Sequence, residues 1–371
     1  MHKGLDGVVV DESRICWVDG DEGKIWYAGY DLDDLVGEAS YEELLYLLFH
    51  DELPSESELR EVEDAMARRR ELPDAVAEAV DGMVDAGPMH VMRTAVSMLA
   101  AADDDPDELE GDAVWEKSLG VAAKMPTVLA RQHRGRRNER AVEPDVDLGH
   151  AENFLYMLHG ERPSEEETRA MDDTLVLYAE HGMNASTFSA VVTASTLASV
   201  YSSLTSAVGT LQGPLHGGAT ETVVEMLDDV GSPDAVESWV DGKMDAGERI
   251  PGFGHRVYSV ADPRCKHFSR HIDALADGEA RTWYETAEAL RDEVEARLGD
   301  KGIYPNTDLY SGTLYRILGV PPAFYTALFA CSRVAGWSAH VDEQLEDNRI
   351  MRPRVEFVGE LGREYVSVGE R

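Results

Sequence analysis

Cysteine is nearly missing from this chain. There are three in 371 residues, Cys16, Cys265 and Cys331, odd in number and far apart. That argues against a disulfide framework and fits a reduced cytoplasm; no CxxC spacing suggests zinc. Lysine is scarce as well, limited to Lys3, Lys24, Lys117, Lys124, Lys243, Lys266 and Lys301. No run of about 18 apolar residues occurs, so a membrane span is not expected. The nearest candidate, Ala323 to Val341, contains Arg333 and His340. The opening MHKGLDGVVV lacks a charged region followed by an apolar signal core, so export by that route is not expected. Positive charge is the largest deficit: 34 Lys plus Arg stand against 72 Asp plus Glu, a formal net charge of −38. Such a field argues against nucleic acid and anionic membranes as partners. The acids are spread along the chain rather than gathered in a tail. That distribution points to a halophilic protein, made for a very salty cytoplasm where screening removes self-repulsion.

What is present is a helical pattern. With 43 % hydrophobic residues the chain can bury a substantial core, and its length allows two domains or one large one. Ser40 with Glu43, Ser55 with Glu58 and Ser164 with Glu167 have capping-box spacing. Apolar residues follow at helical intervals, as in Leu44, Leu45, Leu47, Leu48 and in Met171, Leu175, Leu177, Tyr178. The run from Leu197 to Leu211 continues the pattern. Alternation of the strand type is confined to the start, where VVVDESRICWVDGDEGKIWYAG predicts a short hairpin turning at Asp19–Gly23. ADDDPDELEGD (102–112) and RQHRGRRNER (131–140) read as loops. The fold class is therefore mainly α. The second loop holds Arg131, Arg134, Arg136, Arg137 and Arg140, the only dense basic cluster. It serves either as a solvated loop balancing neighbouring acids or as a landing site for phosphates.

Four further stretches can carry chemistry, each with a plain structural alternative. IPGFGHRVYSVADPR (250–264) fails GxGxxG at Val257 and lacks a P-loop lysine. It holds His255 between glycines that let backbone approach a ligand, or it is only a turn. GPLHGGATETVVEML (213–227) places His216 ahead of an amphipathic helix. Positive charge at that helix N-terminus would keep the imidazole neutral and able to donate to an oxyanion; the alternative is an ordinary helix-entry histidine. In IYPNTDLYSGTLYRILG (303–319), Asp308 either caps the helix, with Ser311 at the third position, or acts as a carboxylate base. In AFYTALFACSRVAGWSAHV (323–341), Arg333 is the one charged side chain on an apolar run, costly unless an anion meets it. AEHGMNASTFS (179–189) adds His181 and Asn184 after a helix.

In this order the motifs resemble the citrate synthase family. The resemblance runs through GLDGVVV, DGDEGKIWYAGYDLDDL, ASYEELLYLL, AKMPTVLA, NFLYML, HGMNASTF, GPLHGGA, GFGHRVY with ADPR, YPNTDLYSG, SRVAGWSAHVDEQ and DNRIMRPR, nearly the whole chain. It implies condensation of acetyl-CoA with oxaloacetate and water to citrate and CoA, through an enol or enolate and citryl-CoA. Asp308 matches the base, His216 the donor to the thioester carbonyl, and His255 the group that polarises the ketone. His181, Arg264 and Arg333 match the holders of oxaloacetate's carboxylates. Arg352 matches an arginine supplied by the neighbouring subunit, so a homodimer with a shared active site is implied. The family fold is all-helical: a large domain at 1–215 plus 320–371, and a small one at 216–319 carrying much of the catalytic and CoA site. No metal or organic cofactor is implied, since coenzyme A arrives as the acyl carrier. Relatives often carry a basic residue where Ser259 stands, so Arg256, Lys266, Lys301 or the 131–140 cluster are expected to meet the CoA phosphates instead.

Three rivals remain. A 2-methylcitrate synthase would use propionyl-CoA on the same fold. A metal-dependent hydrolase would use His267 with His271 or His340 with Glu343, but no complete ligand set accompanies either pair. A non-catalytic acidic binding protein leaves the placement of His216, His255 and Asp308 unexplained.

Overall fold

The computed structural model describes residues 2–5, 7–217 and 220–371. It is mainly α, as the periodicity predicts. The hairpin forms where expected: β1 (Cys16–Asp19) pairs antiparallel with β2 (Lys24–Tyr27), Trp17 opposite Trp26. Its turn is stiffened by Asp19, whose Oδ1 accepts from the backbone N–H of Asp21 at 3.0 Å and Glu22 at 2.8 Å, the local side-chain bonding that favours Asp in turns. A third short strand, β3 (Tyr30–Asp31), extends the sheet; its two residues are too few to show alternation in the sequence.

The helices in order are α1 (Leu32–Leu35), α2 (Tyr41–His50), α3 (Glu56–Arg69), α4 (Asp74–Gly82), α5 (Pro88–Leu99), α6 (Ala113–Arg136), α7 (His150–His159) and α8 (Glu165–Tyr178). They continue with α9 (Ala185–Ala194), α10 (Val200–Leu211), α11 (Thr220–Val230), α12 (Val236–Ala246), α13 (Cys265–Leu275), α14 (Gly278–Leu298), α15 (Asp308–Ile317) and α16 (Tyr325–Glu346). Ser40 caps α2 by accepting from the Glu43 amide, while Ser55 with Glu58 and Ser164 with Glu167 form reciprocal capping boxes on α3 and α8. Helix α16 is apolar on all sides and is buried accordingly, packed between α6, α8, α9 and α10. A second group forms around α15, against which α11, α13 and α14 pack, with α12 on α14. No single helix among the described residues is long and apolar enough to cross a membrane. Beyond α16 the chain has neither helix nor strand and exposes Val355, Phe357, Val358, Leu361 and Tyr365.

Two expectations are corrected here. Residues 131–136 are helix, not loop: α6 runs on to Arg136, because Gln132 and His133 extend its buried stripe and arginine is a good helix former favoured at a C-terminus. The run from Leu197 is interrupted, since Leu197 sits at φ +61° in a break and α10 starts only after the Ser199 cap. Segment 102–112 is mostly turns, as expected.

Candidate active site

Between the two packing groups lies an open cleft of about 1670 Å³, larger than a usual small-ligand pocket of roughly 300–1,000 Å³. His181, His216, His255, Arg264, Asp308 and Arg333 all line it. The opening glycine-rich stretch joins two of them. Gly252 and Gly254, at φ +83° and +84°, take left-handed conformations that a side chain would oppose. They allow the loop to zip against 304–306: Gly254 N–H donates to the Tyr304 carbonyl at 2.7 Å and Asn306 N–H to that of Gly252 at 2.9 Å. His255 and Asp308 flank this zip on its two strands.

The position of Asp308 decides between its two readings. It is the first residue of α15, whose N-cap residue, Thr307, makes no side-chain capping bond. Its Oδ1 instead accepts from the Thr220 hydroxyl at 2.5 Å, and its own amide donates to Asn306. Burial raises its pKa above the ordinary value, with Thr220 and Arg264 pulling the other way. The carboxylate is therefore not employed as the helix cap, and burial favours its protonated form more than in water.

His216 stands four residues ahead of the first described residue of α11, and the expected approach of its ring to that helix's N-terminus falls on Gly218 and Ala219, outside the described residues. The ring meets the N-terminus of α9: Nε2 lies 2.8 Å from the Ser186 hydroxyl and accepts from the Ser186 backbone N–H at 3.3 Å. An acceptor at Nε2 leaves the proton on Nδ1. Burial, then Arg333, lowers the pKa to about 4, which makes His216 a neutral donor.

His255 has the opposite tautomer. Its Nδ1 accepts from the amides of Val257 at 3.1 Å and Tyr258 at 3.3 Å, so Nε2 holds the proton. Desolvation and Arg264 bring it down to about 4. The ring is exposed to the open cleft and water screens part of that shift, but the direction keeps it neutral at pH 7. Tyr258 stacks on it at 4.7 Å and gives its hydroxyl to a 2.9 Å contact with His181 Nε2. Burial, followed by Arg264 and Arg333, holds His181 well below the usual histidine range.

Two guanidinium groups face this cluster. Arg264 is clamped by Asp262 through Nε at 2.9 Å and Nη2 at 2.7 Å, and the pair is buried. Arg333 is only 2 % exposed. Its Nε donates to the Tyr178 carbonyl at 2.6 Å and it lies over the Phe329 ring, yet it forms no salt bridge among the described residues. A buried guanidinium without a carboxylate partner is a site prepared for an anion.

The other expected residues are placed differently. Arg256 lines the cleft. Lys266 does not, being paired with Asp33; Lys301 is exposed in a short turn of helix away from the lining. Arg352 is exposed on the C-terminal segment. In the 131–140 cluster Arg131 is bound to Asp81, Arg134 to Glu139, and Arg136 to the carbonyls of Val84 and Ala86. Those bonds tie three of its five arginines to the frame, while Arg137 and Arg140 are exposed. The histidine pairs suggestive of a metal are engaged by carboxylates: His267 by Asp33, His271 by Asp173, and His340 by Glu180 and Glu343. No group of three or more His, Cys, Asp or Glu among the described residues is placed to hold a metal. Sequence reasoning missed Ser186, Tyr258, Thr220 and Arg249, the last of which also lines the cleft. Arg249 adjoins the Ile250–Arg264 stretch and was the one signal available. Cys16 is a further lining residue, its thiol pushed well above the usual range by burial and then by Glu180.

Residues 4–354 match the family model described as citrate synthase, C-terminal domain. A citrate synthase of Haloferax volcanii is 46 % identical, with all of this chain and 99 % of that protein covered. A 2-methylcitrate synthase of Corynebacterium glutamicum is 38 % identical, with 100 % and 98 % covered. The solved ternary complex of carboxymethyl coenzyme A and oxaloacetate with a Thermoplasma acidophilum citrate synthase superposes with a TM-score of 0.94 at 36 % identity, covering 100 % of this chain and 99 % of that one.

Proposed function

The chain belongs to the citrate synthase family, and we propose that its cleft condenses acetyl-CoA with oxaloacetate by way of Asp308, His216 and His255. The observation that carries this is the pair of neutral histidines with opposite tautomers lining one cleft with a half-buried carboxylate. A thioester α-proton is weakly acidic, so its removal by Asp308 needs a donor at the carbonyl oxygen, and Nδ1–H of His216 supplies it. The resulting enol carbon attacks the ketone of oxaloacetate, whose oxygen takes up a proton under the polarisation of His255 Nε2–H. Carbon–carbon bond formation gives citryl-CoA. Water then cleaves the thioester, releasing citrate and the CoA thiol. His181, Arg264 and Arg333 hold the two carboxylates of oxaloacetate, with arginine's fork suited to the task. Arg256 and Arg249 offer charge for the CoA phosphates along the same wall. The chemistry uses side chains alone. Its test is thiol release with oxaloacetate and either acetyl-CoA or propionyl-CoA. Faster turnover per KM on acetyl-CoA, with citrate as product, supports the reading. Preference for propionyl-CoA makes the enzyme a 2-methylcitrate synthase, and no release with either removes the activity.

Four finer points belong to the same proposal. The cleft divides a large domain, 1–215 with 320–371, from a small one, 216–319. Three cysteines without a disulfide support a cytoplasmic setting, and the −38 charge suits high salt. The working unit is a homodimer in which the C-terminal segment, with its exposed apolar side chains, reaches a second copy and delivers Arg352 there. Arg352→Ala and Asp308→Asn homodimers should each be nearly inactive. Co-expressed with random pairing, they should restore roughly a quarter of all sites, by two-fold arithmetic. If heterodimers form and stay inactive, Arg352 does not act across the interface.

A further inference from the structure

The ring of His255 is aimed by the amides of Val257 and Tyr258, and these belong to irregular backbone with no helix or strand to fix it. On one side Tyr258 is secured by His181. On the other, the chain leans on the turn of the N-terminal hairpin. The Gly20 carbonyl accepts from the Ser259 backbone N–H at 2.9 Å, and the Ser259 hydroxyl lies 3.0 Å from Asp21 Oδ1. Gly20 also sits directly beneath Val257: a Cβ there would fall 2.1 Å from the Val257 carbonyl oxygen and 2.9 Å from its carbon. At Gly23 a Cβ would come within 2.8 Å of the Val260 side chain. Asp19 holds the turn rigid through the two amide bonds described above.

We propose that the β1–β2 turn, Asp19 to Gly23, is a positioning element of the active site, gripping Ser259 and seating under Val257 so that the amides at 257 and 258 keep the His255 imidazole aimed at the ketone. The residues touch no substrate; they act through His255, and the inference rests on the role given to that histidine above. Gly20 is the decisive position. Its φ is not in the left-handed region, so alanine meets no backbone strain and only the contact with Val257 is changed. A displacement of about 1 Å at a reacting group can cost roughly 10²-fold in rate.

The experiment compares Gly20→Ala, Ser259→Ala, Gly29→Ala and His255→Ala in the intact enzyme. Turnover is read together with the 13C shift of the ketone carbon of bound oxaloacetate, which reports polarisation by His255. Gly20→Ala should lower kcat by roughly 10- to 100-fold and weaken the ketone polarisation, with the thermal midpoint little changed. Ser259→Ala should do the same several-fold less, since its backbone bond to Gly20 survives. Gly29, at φ +85° with nothing within 4 Å of a Cβ, supplies the control: alanine there should lower the melting temperature and leave kcat and the ketone shift alone. If His255→Ala leaves the ketone shift unmoved, the role of His255 is wrong and the proposal falls with it. If His255→Ala abolishes the shift while Gly20→Ala and Ser259→Ala leave shift and kcat intact, the hairpin turn positions nothing and the proposal alone is overturned. Should Gly20→Ala fail to fold, Ser259→Ala decides by the same two readings.

Discussion

Two sets of arginines separate function from structure in this molecule. At the end of α6, Arg131, Arg134 and Arg136 are dense in sequence, and each is committed to a carboxylate or a carbonyl. In the cleft, Arg264 and Arg333 are far apart in sequence and nearly fully buried; the second forms no salt bridge among the described residues. Density of positive charge along a chain therefore marks little by itself in an acidic protein, because acids and carbonyls are at hand to absorb it. Burial is the informative state: Asp262 answers Arg264, whereas Arg333 has one carbonyl bond and no salt bridge among the described residues, and desolvation of such a guanidinium is offset by an arriving anion.

Substitutions matched between the two regions test that contrast. Asp308→Asn should lower kcat by roughly 10²–10⁴-fold, the range for a lost general base, with oxaloacetate affinity nearly kept; Asp81→Asn, which loosens Arg131, should leave kcat unchanged. Steady-state kinetics with separate binding of oxaloacetate checks both, and near-normal turnover in Asp308→Asn would return that residue to a structural role. His216→Ala should cost about 10²–10³ in kcat, as for an oxyanion donor. Arg333→Gln should raise the oxaloacetate KM by roughly 10- to 100-fold, the equivalent of a charged hydrogen bond of about 1.5–3 kcal/mol, whereas Arg136→Gln should move the melting temperature and not KM. Equal KM effects from the two would dissolve the distinction.

The histidines carry the contrast into pH. In the cleft, His216 and His255 are lowered to about 4; in the frame, burial opposes the charge on His340 but Glu180 and Glu343 outweigh it and raise it to about 9. For His216, the unfolded chain binds the proton first as pH falls from about 6.5, so its contribution to stability is present above that point and lost toward pH 4. For His340 the sign reverses: stability is full below about 6.5 and is lost as pH rises through 9. Thermal melts across pH 4–10 should show both declines, and His340→Gln should flatten only the alkaline one. The smallest effect is collective. In molar KCl the melting temperature should exceed that in dilute buffer by several degrees, because salt screens the repulsion of 72 acids; identical melts would remove the halophilic reading.

The sequence made some of this legible and hid the rest for physical reasons. Helix starts at Ser40, Ser55 and Ser164 and the hairpin turn at Asp19–Gly23 were readable because each is a bond between residues within a few positions. His255 and Asp308 were visible as candidates, but each kept a structural alternative until the zip between 252–254 and 304–306 brought them together. The resemblance, not the spacing, assigned their roles. The α6 arginines were misread as a loop because their partners, Asp81, Val84 and Ala86, lie some fifty residues upstream. The contacts that add to His216's surroundings were hidden for the same reason, with Ser186 thirty residues away and Arg333 still further.

Cys16 on the cleft wall has a consequence for the fidelity of the chemistry. On the proposed function, a thioester would enter the cleft that Cys16 lines, where transfer of the acyl group to the protein's own sulfur would stall the enzyme. Only the thiolate attacks, and burial together with Glu180 holds this sulfur well above the usual range, as a thiol at neutral pH. The burial that raises the Cys16 thiol thus disfavours leakage of an acyl group onto the polypeptide from a thioester in the cleft.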